Sequence, residues 1–257
     1  MPEADLPLIA AVAEEAGQVA LRYWRRNPKS WEKPGLGPVT EADLAVNDRL
    51  RGALRGARPD YGWLSEEDPD GPERLSAARV FMLDPIDGTR AFMAGEEHFA
   101  VSLAVVEGGV PVAGVVHLPA LQLTYAAAAG GGATRNGQPI RASGQAGIEG
   151  AHVLTTSANL APELWSGGVP DLKRSFRASL AYRLCLVAEG RFDGMLTLRP
   201  AWEWDIAAGS LIAERAGAVV SDRKGARLGF NAAHPQAEGI VAAAPGLHRA
   251  LLVRLCG

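Results

Sequence analysis

Residues 80–94 read V-F-M-L-D-P-I-D-G-T-R-A-F-M-A, and no other stretch constrains the chain as much. Val80-Phe81-Met82-Leu83 is a short apolar run of the kind that forms a buried strand. Two carboxylates, Asp84 and Asp87, follow at once, separated by Pro85 and Ile86. Proline has no N–H to give a sheet ladder, so the strand is expected to stop at Pro85. Gly88-Thr89 then reads as a helix start, whose free backbone N–H groups favour an anion. Two carboxylates fixed against an anion-binding turn call for a cation between them. Mg²⁺ suits such oxygen ligands, because it is commonly held by one or two carboxylates together with substrate phosphates. The stretch therefore points to metal-assisted chemistry on a phosphate ester.

Other segments supply partners for these acids. Tyr61-Gly-Trp-Leu64 reads as a short strand that delivers Ser65-Glu66-Glu67-Asp68 at its end. Consecutive acids are ordinarily a solvated turn. Neighbouring strands that both end in acids, however, bring carboxylates together at an electrostatic cost that a divalent cation removes. Thr40 and Asp43 have the spacing of a capping box, ahead of a helical face formed by Ala42, Ala45, Val46, Leu50, Ala53 and Leu54. Locally, Asp43 reads as a helix cap. Asp205, just before Ile206-Ala-Ala, reads as an N-cap in the same way, and Glu203 as a surface acid or substrate contact.

Around these motifs the chain alternates between apolar patterns and turn signals. Leu8, Ala11, Val12, Ala16, Val19 and Tyr23 recur at helical spacing and predict a first helix of roughly twenty residues. The polar stretch from Arg25 to Pro38, broken by proline and glycine, reads as a mobile connector and a candidate lid. Phe99–Val106, Val110–Leu118 and Leu121–Ala128 read as strands of an antiparallel meander, with turns at Glu107-Gly108-Gly109 and Asn136-Gly137. Gly130-Gly131-Gly132 lacks the Lys and Ser/Thr of a phosphate loop and reads as a turn. A small, polar run near 142–150 suggests a boundary between an α+β half, 1–142, with most metal ligands and an α/β half, 143–257, with Asp205 and substrate contacts. In that second half strands near 151–156, 176, 192–198, 218–221 and 239–243 alternate with helices near 161–165, 179–189, 205–217 and after Pro245, which implies an α/β layer architecture.

Composition removes several classes of function. With 257 residues, 47% hydrophobic, 21% charged and a net charge of −3, the chain has an ordinary globular composition and no basic excess for a nucleic-acid polymer or a membrane surface. Cys185 and Cys256 lie far apart without metal spacing. No signal-like or long apolar segment opens the sequence, so both are expected to be free thiols in a reducing cytoplasm. The histidines show no H-x-x-H spacing and no G-x-S-x-G occurs, so zinc-site and serine-hydrolase readings have no anchor.

S-E-E-D (65–68), D-P-I-D-G-T (84–89) and W-D-I-A-A-G (204–209), in this order, resemble the inositol monophosphatase superfamily of Mg²⁺-dependent, often Li⁺-sensitive phosphomonoesterases. P-V-T-E-A-D (38–43) and L-C-L-V-A-E-G (184–190) also fit, so the likeness spans nearly the whole chain. The resemblance implies a layered αβαβα sandwich of the inositol monophosphatase and fructose-1,6-bisphosphatase type. It further implies that Glu66, Asp84 and the carbonyl of Ile86 bind a first Mg²⁺, and that Asp84, Asp87 and Asp205 bind a second. Two or three metals per site are expected, with Li⁺ as an inhibitor. Glu67 would stand close behind, Gly88 and Thr89 would donate backbone N–H groups to phosphate, and Asp43 with Thr89 would orient and deprotonate the attacking water. Glu66 would share in that catalytic arrangement.

Within the superfamily the chain looks most like bacterial 3'(2'),5'-bisphosphate nucleotidases, which implies removal of the 3'-phosphate from 3'-phosphoadenosine 5'-phosphate. Arg90 after D-P-I-D-G-T, the acidic loop followed by Gly71, and S-L-A-Y-R-L-C-L-V-A-E-G (179–190) carry that preference. Arg90, Ser179 and Glu67 are the implied substrate contacts. Leu198 stands where inositol phosphatases tend to carry a sugar-binding Glu, and an apolar side chain cannot accept hydroxyl bonds. Ile86 and Arg177-Ala178-Ser179 depart from the nucleotidase pattern and keep inositol, sugar or histidinol phosphates as alternatives. A regulatory binding protein with a vestigial site is the alternative of another class, disfavoured because every expected carboxylate is present. The expected partner is a small phosphate ester, and the expected assembly a monomer or homodimer.

Overall fold

The computed structural model describes residues 2–255 except Leu36, and for Pro2 and Glu3 the backbone alone; Cys256 lies outside the described residues. In chain order the first half contains α1 (Pro2–Tyr23), β1 (Ser30–Lys33), β2 (Gly37–Thr40), α2 (Glu41–Ala57), β3 (Gly62–Ser65), β4 (Arg79–Asp87) and α3 (Thr89–Met93). It continues through β5 (Ala100–Glu107), β6 (Val110–Leu118), β7 (Leu123–Ala128), β8 (Thr134–Arg135) and β9 (Gln138–Pro139). The second half contains β10 (His152–Leu154), β11 (Lys173–Ser175), α4 (Leu180–Ala188), β12 (Gly194–Thr197), β13 (Ala201–Trp202) and α5 (Glu203–Arg215). It ends with β14 (Val219–Ser221), β15 (Gln236–Ala237), β16 (Ile240–Ala243) and α6 (Pro245–Arg254).

Strands β3 to β9 form one seven-stranded sheet in sequence order, antiparallel except for the parallel β3–β4 pair. The expected meander is its centre. Its strands are apolar on both faces, so successive residues feed two different cores. Phe81, Leu83, Leu103 and Val105 face α1 and α2, whereas Val80, Met82, Ala104 and Val106 join the core containing α4 and α5. A second, five-stranded sheet in the order β11-β10-β12-β16-β14 lies beyond α4 and α5, and α6 covers its outer side through Leu247 and Leu251. The layers are therefore αβαβα, as expected. The core around α4 and α5 draws on both sides of residue 142.

Local geometry corrects four expectations. Where a connector was expected over 25–38, Ser30–Lys33 and Gly37–Thr40 pair as an antiparallel hairpin, Ser30 with Thr40 and Lys33 with Gly37. Strand β4 does not stop at Pro85. The register slips between Asp84, opposite Ser102, and Asp87, opposite Ala100, so Pro85 and Ile86 form a bulge where no ladder N–H is needed. Residues 157–160 and 162–164 are short 3-10 turns, not an α-helix. Asp205 lies inside the first turn of α5 and Trp202 holds the N-cap position, because Glu203 and Trp204 already have helical geometry.

Two glycines allow the inner helices to approach. A Cβ on Gly114 of β6 would stand 3.0 Å from both the Cα and the carbonyl oxygen of Ala208 in α5. A Cβ on Gly209 would lie 2.7 Å from Leu184 Cδ1 of α4. Small residues in W-D-I-A-A-G thus fit α5 between sheet and neighbouring helix, which fixes where Asp205 emerges. Gly114→Val is expected to destabilise the protein by about 1–3 kcal/mol through overpacking, read as a lowered melting temperature. Gly132→Ala, with nothing within 4 Å of the added Cβ, is expected to leave it nearly unchanged.

Candidate metal centre

Adjacent strand ends bring the first acids together. Parallel pairing sets Ser65 beside Leu83, so the next residues, Glu66 and Asp84, emerge side by side, and the Glu66 N–H donates to the Leu83 carbonyl at 3.2 Å. Asp84 is buried, and its Oδ1 accepts the Ile86 N–H across the bulge at 2.9 Å. Asp205 arrives from α5 on the other side. Glu66, Asp84 and Asp205 each offer a carboxylate oxygen within 4.8 Å of the others.

Asp87 stands next to this trio but is held differently. Its Oδ2 accepts the Ser179 hydroxyl at 2.6 Å and the Ala181 N–H at 2.6 Å, at the N-terminus of α4, where the helix dipole favours an anion. Asp43 closes the opposite side. The capping box is present: Asp43 Oδ2 accepts the Thr40 N–H at 2.8 Å and the Thr40 hydroxyl at 2.6 Å. Its free oxygen, Oδ1, lies 3.3 Å from the Thr89 hydroxyl, which also reaches the Ile86 carbonyl at 3.1 Å. The expected Asp43–Thr89 pair is thus in hydrogen-bond contact.

The dominant electrostatic fact is the crowding of carboxyl groups out of water. Burial pushes Glu66 up to about 7, with Lys33 opposing and Glu67 and Asp43 adding to the rise. Burial likewise pushes Asp43 up to about 6 against the bonds from Thr40. Asp84 and Asp205 stand well above the usual carboxylate range, first through burial and then through repulsion from their acidic neighbours. Burial also raises Asp87, opposed by its bonds to Ser179 and the start of α4.

Three cations border the cluster. Lys33 Nζ, on the hairpin, lies 2.8 Å from Glu67 and 3.3 Å from Glu66. Burial alone would depress that ammonium, but the two glutamates outweigh it and hold it above its ordinary value. Arg199, just after β12, and Arg183, on α4, oppose the rise of Asp205. The trio offers only carboxylate oxygens, a hard donor set that fits Mg²⁺ or Ca²⁺ better than zinc.

Several expected contacts have other positions. Ser179 is fully buried and serves as the N-cap of α4 and the donor to Asp87, so its hydroxyl does not face open space. Glu67 is paired with Lys33. Arg90 is exposed, its Nη2 lying 3.6 Å from where a Cβ on Gly37 of the hairpin would stand. Glu203, expected at the surface, is 1% exposed because it accepts the N–H groups of Asn231 and Ala232. Sequence reasoning gave no role to Lys33. The Pro34-Gly35 turn signal could have revealed the hairpin that carries Lys33 inward.

The raised carboxylates set the sign of a pH dependence. Between about 4, the ordinary carboxylate value, and about 7 the folded cluster binds more protons than the unfolded chain. Their contribution to stability is present below that window and is lost as pH rises through it. In EDTA the melting temperature is expected to fall as pH rises from 4.5 to 7 (approximately the range over which these groups ionise), and saturating Mg²⁺ is expected to restore it at pH 7. Equal melting curves with EDTA and Mg²⁺ at pH 7 would contradict this reading.

Comparison with known proteins agrees with this geometry. The model of the inositol monophosphatase family matches residues 3–256. The 3'(2'),5'-bisphosphate nucleotidase CysQ of Salmonella typhimurium is 33% identical over 230 residues, covering 88% of this chain and 93% of that protein. A histidinol-phosphatase of Chlorobaculum parvum is 32% identical over 260 residues, covering 98% of this chain and 96% of its own. Among solved structures, an IMPase from Thermotoga maritima superposes with a TM-score of 0.84 at 28% identity, covering 98% of this chain and 96% of that one. No helix among the described residues is long and apolar enough to cross a membrane. With a family match across almost its whole length and a carboxylate centre where the sequence motifs converge, the chain belongs to the inositol monophosphatase family and is a metal-dependent phosphoric monoester hydrolase.

Proposed function

We propose that the protein is a Mg²⁺-dependent nucleotidase that removes the 3'-phosphate from 3'-phosphoadenosine 5'-phosphate or a closely related nucleoside bisphosphate. The observation that carries this reading is the cationic border of the site. Arg183 is buried, and its guanidinium feels the charges of Asp87 and Asp205, with Arg199 alongside. Its Nε donates to the Arg177 carbonyl at 2.5 Å, and the guanidinium lies 4.5 Å from the Phe176 ring, which is 47% exposed. Burial lowers its pKa only to about 10, so it stays charged at neutral pH. A second phosphate gains more from fixed arginines than a neutral polyol does. Leu198 belongs to the apolar core under α6 and offers a polyol no hydroxyl acceptor. The likeness to a bisphosphate nucleotidase supports the same reading.

Glu66, Asp84, the Ile86 carbonyl, Asp87 and Asp205 are the residues that would hold Mg²⁺ in this site. Bound there, Mg²⁺ supplies charge neutralisation for the phosphoryl group and acidifies a coordinated water. The chain's own contribution is positioning, which is most of what phosphoryl transfer asks of a protein. Backbone N–H groups of Gly88 and Thr89 would orient the phosphate. The Thr89 hydroxyl and Asp43 Oδ1 form a short path along which a proton can leave the attacking water. Asp43, poised near 6 by burial, is matched to that task near neutral pH. Glu66 would orient the same water.

The test is initial-rate phosphate release with Mg²⁺, comparing 3'-phosphoadenosine 5'-phosphate, inositol 1-phosphate and histidinol phosphate. The expected result is a kcat/KM preference for the nucleotide above about a hundredfold, roughly 2.7 kcal/mol of transition-state discrimination. Asp84→Asn is expected to lower kcat/KM by about a hundredfold or more through lost charge stabilisation. Millimolar-range Li⁺ should slow turnover. A preference for either other ester would replace the nucleotide reading and leave the reaction class intact.

A further inference from the structure

Away from the acids themselves, a polar cluster built on two buried side chains, Arg74 and Glu203, joins the loop that carries Glu66 to the helix that carries Asp205. Arg74, in the 3-10 turn Pro72–Ser76, is 3% exposed. It grips Asp70 with two bonds, Nε to Oδ1 at 2.6 Å and Nη2 to Oδ2 at 2.7 Å. The same guanidinium reaches across the fold, Nη1 donating to Asn231 Oδ1 at 2.6 Å and Nη2 to the Ala232 carbonyl at 2.9 Å. Asn231 returns a bond from Nδ2 to the Arg74 carbonyl at 3.2 Å. Its φ of +64° lies in the left-handed region, which turns the two successive N–H groups of Asn231 and Ala232 toward one carboxylate. That carboxylate is Glu203, which accepts them at 2.5 and 3.2 Å.

We infer that Asp70, Arg74, Asn231 and Glu203 form a brace that sets the separation of Glu66 from Asp205, and through it the affinity of the carboxylate cluster for its cation. Glu203 begins α5 two residues before Asp205, and Asp70 follows Glu66 by four residues, so slack at either end transmits directly to a carboxylate of the trio. The loop is clamped at its middle as well, since Asp68 accepts the Trp63 indole N–H at 2.6 Å and pairs with Arg51. Like charges held within 4.8 Å push the loop and the helix apart, so their spacing has to be imposed from outside the cluster. Charge-assisted bonds anchored on the buried Arg74 and Glu203 are stiff enough to impose it. These are positioning residues, acting through Glu66 and Asp205.

This inference rests on the metal-centre reading, and the experiment separates the two. Asn231→Gly keeps the left-handed backbone while deleting both side-chain bonds, and Glu203→Gln keeps the size while removing the charge. Mg²⁺ affinity is measured by calorimetry without substrate, and melting is followed in EDTA. Both variants are expected to bind Mg²⁺ about tenfold or more weakly, as is usual when groups behind metal ligands are removed. Half-saturating Mg²⁺ for phosphate release should rise in step, with kcat at saturating metal within about threefold of the unmodified protein. Leu251→Ala, in the outer core under α6, serves as the control that lowers melting and should leave Mg²⁺ affinity unchanged. Unaltered affinity in both brace variants, or an equal loss in Leu251→Ala, would overturn the inference. Failure of the unmodified protein to bind Mg²⁺, or equal binding by Asp84→Asn, would instead remove the metal centre on which it rests.

Discussion

Mutual repulsion among desolvated carboxylates is the constraint around which the rest of this structure is arranged. Glu66, Asp84 and Asp205 share a space less than 5 Å across, with Asp87 and Asp43 at its edges. Each is raised above its ordinary pKa, most by burial and then by its neighbours. Such a cluster is unfavourable to assemble, and four of its members are anchored from behind. Asp43 is tied to a helix cap, Asp87 to the start of α4, Asp84 to a strand bulge, and Glu66 to the strand beside it. The unfavourable charge is what a divalent cation relieves, so the same arrangement that weakens the fold makes the cation bind.

The layers serve that arrangement. A sheet that is apolar on both faces holds β3 and β4 rigidly in parallel, which aligns two acid-bearing strand ends. The small residues of α5 let it sit against β6 and α4, so that Asp205 descends from the opposite side of the same space. The hairpin β1–β2 then brings Lys33 over Glu66 and Glu67. Fold, charge and chemistry meet at one place because packed strands and helices bring residues from distant parts of the chain together.

Much of this could be read from the chain alone, and the misreadings share a cause. D-P-I-D-G-T and W-D-I-A-A-G combine apolar runs with acids at strand and helix ends, a pattern whose meaning is local; that these acids belong together, and in an αβαβα sandwich, followed from the resemblance the motifs carry to a known family. The Thr40–Asp43 capping box was foreseen from its local spacing. Pro85 was misjudged because a bulge depends on the partner strand, which local sequence does not display. Ser179 and Glu203 were misjudged because a polar side chain reads as exposed until its buried partners, Asp87 for one and Asn231 and Ala232 for the other, are known. For Lys33 the Pro34-Gly35 turn signal marks the hairpin, but not the glutamates it is brought to. Long-range pairing decides these cases, and periodicity does not report it.

Proton release on metal binding tests the central claim most directly. The protein is titrated with Mg²⁺ by calorimetry at about pH 6.5 in two buffers of different ionisation heat, because ligands that bind a metal must first give up their protons. If burial and repulsion keep part of the cluster protonated, the apparent binding heats differ between buffers and correspond to release of about one proton or more per protein. Identical heats in both buffers, with Mg²⁺ still bound, would mean that the carboxylates are already ionised and that repulsion among them does not govern the site.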